Sequence, residues 1–324
     1  MNRRTFSLTS LTALTLCLAT PAWADPSYPN KPVRIIVGYS AGGPTDTVAR
    51  MVAAKMQDKF GQPFVVDNRA GVGSNIASEA VAAATADGYT LLVAAAPITS
   101  NSNVYKNQKF NVEKSFEPIS KLSSAPSVLA VRNGLSANTV AELVELAKKS
   151  GGKLTYGSTG LGGSQHMAGE LLQQLAGIQL THVPYKGASG VLNDLIAGHI
   201  DMAFMTATSA MPNLQANKAK PLAIAGTKRL AGLPKVPTFA EVGIPAMVAD
   251  SWNGLLAPAG TPPVILKKLH EAATAAMNSP DIKDKLESQG ALVIANTPDE
   301  FKAEIRQEVS EWAEQFKRIK IEQQ

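Results

Sequence analysis

The 324-residue chain has little cysteine, few aromatic residues and little charge, and each scarcity excludes a class of protein. Its single cysteine, Cys17, lies in an N-terminal segment that we expect to be removed, so the mature chain offers no disulfide and no thiol chemistry. Aromatic residues make up only 6%, and no long run of lysine and arginine supports nucleic-acid binding. The only strongly apolar run, residues 8–19, is too short for a dependable membrane span.

The first residues have the pattern of a secretory signal peptide. Arg3 and Arg4 form a positive start, residues 8–19 form the apolar region, and residues 22–24 (AWA) form a small-x-small cleavage site. We therefore predict that residues 1–24 are removed and that the protein is exported. Residues 3–6 (RRTF) also resemble a twin-arginine motif, so both the Sec and the Tat route stay open.

Short apolar runs alternate with longer runs of helical period along the rest of the chain. The run at residues 33–37 predicts a buried strand, and residues 47–59 predict a helix with one apolar face. The same alternation predicts further strands at 64–66, 90–95, 128–131, 154–156, 181–184, 202–205 and 222–225, and further helices at 76–85, 140–149 and 167–175. This order predicts an α/β fold with largely parallel sheets.

Two stretches share one plan, in which a glycine-rich turn joins a strand to a helix. These turns are residues 40–43 (SAGG) and 158–163 (STGLGG). The first N–H groups of a helix have no partner within it, and the helix dipole adds partial positive charge there. Such a turn can hold an anion without lysine or arginine. Because these turns follow strands, the two units predict two lobes that bind a ligand at their strand ends.

Enzyme chemistry has weaker support. Neither glycine turn has the spacing of an ATP or a dinucleotide fingerprint, and the four histidines have no compact metal-ligand spacing, so we expect no cofactor and no metal. Residues 38–42 (GYSAG) fit the nucleophile elbow of serine hydrolases. However, Gly43 and Pro44 delay the helix after Ser40, and this is the first strand of the mature chain. A hydrolase using Ser40 remains the less favoured alternative.

Several motifs follow one another in a specific order: 33–37 (VRIIV), 41–46 (AGGPTD), 66–73 (VDNRAGVG), 86–91 (ADGYTL), 157–166 (GSTGLGGSQH), 183–187 (VPYKG), 233–238 (LPKVPT), 241–243 (EVG), 252–254 (WNG) and 257–262 (APAGTP). Together they make the whole mature chain resemble the extracytoplasmic solute receptors of the tripartite tricarboxylate transporters, also called the Bug family.

The resemblance implies a two-lobed periplasmic-binding-protein fold of type II, with two crossovers at a hinge. Residues 25–124 and 248–324 would form one lobe, and residues 125–247 the other. The protein would be a periplasmic monomer that closes over a small organic carboxylate and delivers it to a large and a small integral-membrane subunit. A ligand sensor that signals to a protein partner would use the same cleft and stays open as an alternative.

The resemblance also implies which residues hold the carboxylate, through main-chain N–H groups and hydroxyls of the glycine turns. His166 could donate to a ligand carboxylate or pack the helix start, and Lys186 could offer a cation or be solvated. Relatives often have Pro-Phe before the first glycine pair, where this chain has Gly38, Tyr39 and Ser40, so Tyr39 and Ser40 could change ligand choice. The predicted ligand-binding residues are Tyr39, Ser40, Ala41, Gly42, Gly43, Thr45, Asp46, Ser158, Thr159, Gly163, Ser164, His166, Lys186, Gly187 and Ala188.

Overall fold

The computed structural model describes residues 28–185 and 187–319. The predicted signal peptide and Lys186 therefore lie outside the described residues. Within this described part, the helices are too short or too polar for any of them to cross a membrane.

Strands and helices alternate along the chain, as the sequence predicts. The first elements are β1 (Val33–Val37), α1 (Pro44–Phe60), β2 (Phe64–Asn68), α2 (Asn75–Ala82), β3 (Thr90–Ala95), α3 (Asn101–Val104) and β4 (Phe116–Val131). The middle elements are α4 (Val140–Ser150), β5 (Thr155–Ser158), α5 (Ser164–Ala176), β6 (Thr181–Pro184), α6 (Ala188–Ala197), β7 (Met202–Thr206), α7 (Ala207–Gln215) and β8 (Lys220–Ala225). The last elements are β9 (Asp250–Pro258), α8 (Pro263–Met277), α9 (Pro280–Ser288), β10 (Leu292–Val293) and α10 (Pro298–Ile319).

The strands form one mixed sheet in the order β2-β1-β3-β9-β4-β7-β5-β6, with β10 and β8 also paired to β4. Strand β1 is parallel to β2 and β3, and β5 is parallel to β6 and β7. Strands β4 and β9 run antiparallel to their neighbours. The predicted α/β fold is confirmed, and the two antiparallel strands are what makes the sheet mixed.

The long strand β4 belongs to both halves of the sheet. Its residues 116–126 pair with β9, and its residues 127–131 pair with β7 and β8. Each half buries its own apolar core: Ile35, Val52 and Leu269 lie in the first, and Leu129 and Phe204 lie in the second. The chain thus crosses from the first half to the second within β4, and it returns at the start of β9.

The parallel strands of both halves end at this crossing. Ala95, the last residue of β3, lies opposite Asn253 of β9, and Thr206, the last residue of β7, lies opposite Ser127 of β4. Because β1 is parallel to β3 and β5 is parallel to β7, the carboxyl ends of β1 and β5 point to the crossing as well. We call residues 123–127 and 250–253 the hinge junction. The glycine turns that follow β1 and β5 therefore approach it from opposite sides.

Candidate functional site

The first glycine turn leads directly into α1. Gly42 has a φ of 81°, in the left-handed region where glycine is favoured, and Gly43 is the extended N-cap before Pro44. The N–H of Gly42 donates to the Asp46 carboxylate at 2.8 Å. The first-turn N–H groups of Thr45 and Asp46 have no acceptor within the helix. Proline at the first helical position removes no useful donor, because that N–H would be unpaired anyway.

Asp46 holds the shape of this turn. Its buried carboxylate also accepts hydrogen bonds from Arg50 Nε and from Asn68 Nδ2, both at 2.9 Å. The same Asn68 Nδ2 donates to the carbonyl of Tyr39 at 3.0 Å. Burial opposes ionisation of Asp46, but the bonds from Arg50, Gly42 and Asn68 outweigh it and hold its pKa below the usual value. The carboxylate is therefore charged and fully engaged with its own turn.

The second glycine turn repeats this construction at the start of α5. Gly162 has a φ of 69°, Gly163 is the extended N-cap, and Ser164 begins the helix. The N–H of Gly162 donates to Nδ1 of His166 at 2.9 Å. His166 thus occupies the same place in its turn as Asp46 does in the first, four residues after the bonded glycine.

Three aromatic rings, those of Tyr156, His166 and His182, pack together beside the second turn. The ring centroids of His166 and His182 lie 4.0 Å apart with the rings nearly parallel, and the ring centroid of Tyr156 lies 4.8 Å from that of His182 and 6.4 Å from that of His166. Nε2 of His182 lies 2.6 Å from Oγ of the fully buried Ser158. Burial lowers the pKa of both histidines to about 4, so both rings are neutral near physiological pH. His166 therefore uses Nδ1 as an acceptor for its own turn.

The other predicted residues fall around these two turns. Ser40 is exposed and Thr45 is buried at the start of α1. Oγ1 of Thr159 donates to Oε1 of Gln165 at 2.7 Å, and Ala188 begins α6 directly after Gly187. Lys186 lies outside the described residues. Asn68 and Gln165 were not predicted as site residues, although they lie within the motifs at residues 66–73 and 157–166.

Helix α3 brings the first half against the second turn. Oγ of Ser100, just before α3, lies 3.4 Å from the carbonyl oxygen of Gly162. A β-carbon on Gly162 would lie 2.2 Å from Cγ2 of Val104. The buried hydroxyl of Tyr39 has no hydrogen-bond partner among the described residues, and Tyr105, directly after α3, packs close to Gly73. The first half and the second turn are thus in direct contact.

A cavity of about 550 Å³ lies beside the first turn. It is lined by Ala41, Gly42, Asp46, Thr47, Arg50, Met51 and Lys285. Its lining comes from the first turn, α1 and α9, so a cleft that bridges both turns stays a prediction. Within the described residues, no three histidine, cysteine or acidic side chains come together in a way that could hold a metal ion.

Two α/β halves that are joined by two crossings, with matched glycine turns at facing strand ends, define a two-lobed solute-binding protein. The family model of the tripartite tricarboxylate transporter family receptor matches residues 48–321, and the chain belongs to this family. The resemblance carried by its motifs is confirmed.

Solved structures of relatives support the same assignment. The periplasmic binding protein BugD is 34% identical, with a TM-score of 0.82 over 92% of this chain and 100% of its own. A protein of R. palustris solved with adipate is 33% identical, with a TM-score of 0.83 over 90% of this chain and 97% of its own. MatC from Rhodopseudomonas palustris, solved with bound malate, is 30% identical, with a TM-score of 0.80 over 89% of this chain and 99% of its own.

Proposed function

We propose that this protein is a periplasmic receptor that binds a small organic carboxylate between its two lobes. The observation that carries the proposal is the matched pair of turns, in which Gly42 bonds to Asp46 and Gly162 bonds to His166 at facing strand ends. The adipate and malate found in two relatives are both dicarboxylates, which supports this class of ligand.

Main-chain N–H groups would hold the carboxylate. In each turn the glycine N–H is already bonded, but the first N–H groups of the helix that follows have no acceptor within the helix and could serve an anion. The hydroxyls of Ser40, Thr45, Thr159 and Ser164 and the unpartnered hydroxyl of Tyr39 would add contacts. Asp46 and His166 would position the turns, because each accepts the glycine N–H of its own turn. Asp46 would not contact the ligand directly, since its carboxylate would repel an acid ligand. Main-chain atoms for the ligand would come from Ala41, Gly43, Gly187 and Ala188. Ser158 would support the second turn, and Lys186 would supply a cation.

Closure of the lobes would couple binding to transport. A ligand that touches both turns favours the state in which the lobes are together. The contacts of Ser100 and Val104 with Gly162 are the kind of contact that closure makes. We place the lobe boundaries at residues 25–124 with 248–324 and at 125–247, close to the two crossings of the chain. The receptor would be exported as a monomer and would dock a large and a small membrane subunit.

On this proposal the protein is a receptor and no enzyme. Helix α1 begins at Pro44, four residues after Ser40, whereas a nucleophile elbow leads straight into its helix. His270, the histidine that a triad would use, has Nδ1 2.9 Å from the carbonyl oxygen of Ile119. Labelling of Ser40 by a fluorophosphonate, lost in Ser40→Ala, would contradict this part of the proposal.

The proposal is tested by calorimetry and thermal shift with purified mature protein and a panel of mono- and dicarboxylates. We expect at least one carboxylate to bind and to raise the melting temperature. Replacing Gly163 by proline removes one N–H at the start of α5 and should weaken that binding. If no carboxylate in the panel stabilised the protein, the receptor assignment would be wrong.

A further inference from the structure

The hinge junction buries polar side chains that have unused hydrogen-bonding atoms. Oδ1 of Asp250, Oδ1 of Asn253 and Oγ of Ser127 are buried and have no hydrogen-bond partner among the described residues. Oγ1 of Thr208, two residues after the end of β7, is in the same state. A buried polar atom left unpaired destabilises a protein by about 1–3 kcal/mol, so such a concentration at one place needs an explanation.

Asp250 and Asn253 share one arrangement. The other carboxylate oxygen of Asp250 accepts the hydroxyl of Ser124, and Nδ2 of Asn253 donates to Oγ of Ser123 at 3.3 Å. These two side chains of β9 are therefore each bonded to β4 through one atom, and each has one oxygen without a partner. Both free oxygens are acceptors, because a carboxylate oxygen and an amide oxygen carry no hydrogen.

Their place in the sheet puts Asn253 and Ser127 beneath the two glycine turns. Side chains alternate along a strand, so Asn253 lies on the same face as Leu255, in the core that α1 covers. Ser127 lies on the same face as Leu129, in the core that α5 covers. The first turns of α1 and α5 carry the two glycine turns. The free atoms of Asn253 and Ser127 thus form the floor between the two helix starts, whereas Asp250, three residues before Asn253 on β9, faces the other side of the sheet with Trp252.

We infer that this floor recognises a hydrogen-bond donor on the carbon chain of the bound acid, so that the receptor prefers hydroxy- or amino-substituted carboxylates. The inference rests on the proposed function. A ligand carboxylate is only an acceptor and is served by the N–H groups of the turns. The free amide oxygen of Asn253 can instead accept from a ligand hydroxyl or ammonium group. The hydroxyl of Ser127 can donate or accept as the ligand requires.

The test compares matched ligands by calorimetry: succinate against malate and aspartate, and propionate against lactate and alanine. We expect the substituted acid of a set to bind about tenfold more tightly, the effect of one additional hydrogen bond. In Asn253→Leu and in Ser127→Ala this preference should fall to about threefold or less. Ser78→Ala is the matched control, because Ser78 is also buried with an unpartnered hydroxyl but lies in α2, outside the two strand segments that form the hinge junction. It should keep the full preference.

Equal binding of substituted and unsubstituted acids would overturn the inference and leave the proposed function intact. An unchanged preference in both junction variants would overturn it as well, since the selectivity would then arise elsewhere. Binding of neither kind of acid would overturn both proposals. Circular dichroism and melting temperature show whether each variant folds, and if Asn253→Leu does not fold, the smaller change Ser127→Ala decides.

Discussion

The N–H of Gly162 donates to Nδ1 of His166 at 2.9 Å, which requires that this nitrogen carry no proton. The neutral ring therefore has its hydrogen on Nε2, which lies 3.8 Å from the Glu170 carboxylate. One buried histidine thus sets the position of a backbone turn, although its residue type alone suggests a cation for an acid ligand. The turn depends on His166 remaining neutral.

Replacing His166 by leucine should weaken both the fold and carboxylate binding. The variant leaves the buried N–H of Gly162 without an acceptor, which costs about 1–3 kcal/mol of unfolding free energy. His166→Asn can still accept that hydrogen bond and should recover part of the loss. Urea unfolding and calorimetry measure the two effects. Full stability of His166→Leu would show that the bond to Gly162 does not hold the turn.

The two stacked histidines should make the protein labile in acid. Burial lowers the pKa of His166 and of His182 to about 4, below the ordinary value of 6.5. A lowered histidine pKa means that the unfolded state binds protons first, so the stabilisation is complete above pH 6.5 and is lost as the pH falls toward 4. Unfolding free energies measured across this range should decline. His166→Asn should flatten the decline, and an equal slope in both proteins would contradict the assignment.

Glu308 should make the protein less stable as the pH rises, which is the opposite of the effect of the two histidines. Trp252 Nε1 donates to both of its oxygens at 2.8 and 3.0 Å, and Thr99 Oγ1 donates at 3.0 Å. Burial nevertheless raises its pKa from 4.5 to about 7, against the opposing effect of Lys121 and these hydrogen bonds. The folded state therefore holds the proton more tightly, and stability should fall by up to about 3 kcal/mol as the pH rises from below 4.5 through 7.

Glu308→Gln should remove that fall and leave the protein more stable than the wild type at pH 8. Denaturant unfolding at several pH values measures it. Glu311→Gln is the control, since Glu311 is exposed on the same helix, α10. The free energy of unfolding of the wild type minus that of Glu308→Gln should decline between pH 5 and 8. If this difference stayed constant, Glu308 would be ionised throughout that range.

Asp46→Ala should loosen the first turn. The change removes the acceptor of Gly42, Arg50 and Asn68 together, and hydrogen bonds to a charged group contribute about 1.5–3 kcal/mol each. We expect a loss of about 2–4 kcal/mol in unfolding free energy, because Arg50 is exposed enough to be rehydrated. Asp67→Ala, which removes the partly exposed ion pairs of Asp67 with Arg69 and Arg34, is the control and should have a smaller effect. A loss no larger than that of the control would contradict the bracing role of Asp46.

The sequence predicts the strands and turns that follow local rules. Residues 33–37, 90–95 and 181–184 form strands with the predicted bounds, because each is an apolar or β-branched run between turn signals. Strand β9 and the first part of β4 escape prediction because they contain Pro118, Pro126, Gly254 and several serines, which local patterns assign to loops.

The hinge junction could not be predicted for a different reason. Its free oxygens arise only when Asp250 and Asn253 lie beside Ser124 and Ser123, more than a hundred residues earlier in the chain. Likewise, Asp46 and His166 are found as candidates from their place after a glycine turn, but their role as acceptors depends on the turn geometry. Local sequence fixes which groups are present, and the pairing of distant strands fixes which of them stay free.

The contact between Gly162 and Val104 can be separated from backbone strain by a pair of alanine variants. Gly42 and Gly162 have φ values of 81° and 69°, so alanine at either position meets a similar backbone penalty of about 1 kcal/mol. A β-carbon on Gly42 would meet open space, whereas one on Gly162 would lie 2.2 Å from Val104 Cγ2. Gly162→Ala should therefore weaken carboxylate binding more than Gly42→Ala does, because it keeps α3 from seating on the second turn. Adding Val104→Ala to Gly162→Ala should restore part of the affinity in calorimetry. Equal losses in the two single variants, with no recovery in the double variant, would show that this contact has no part in closure.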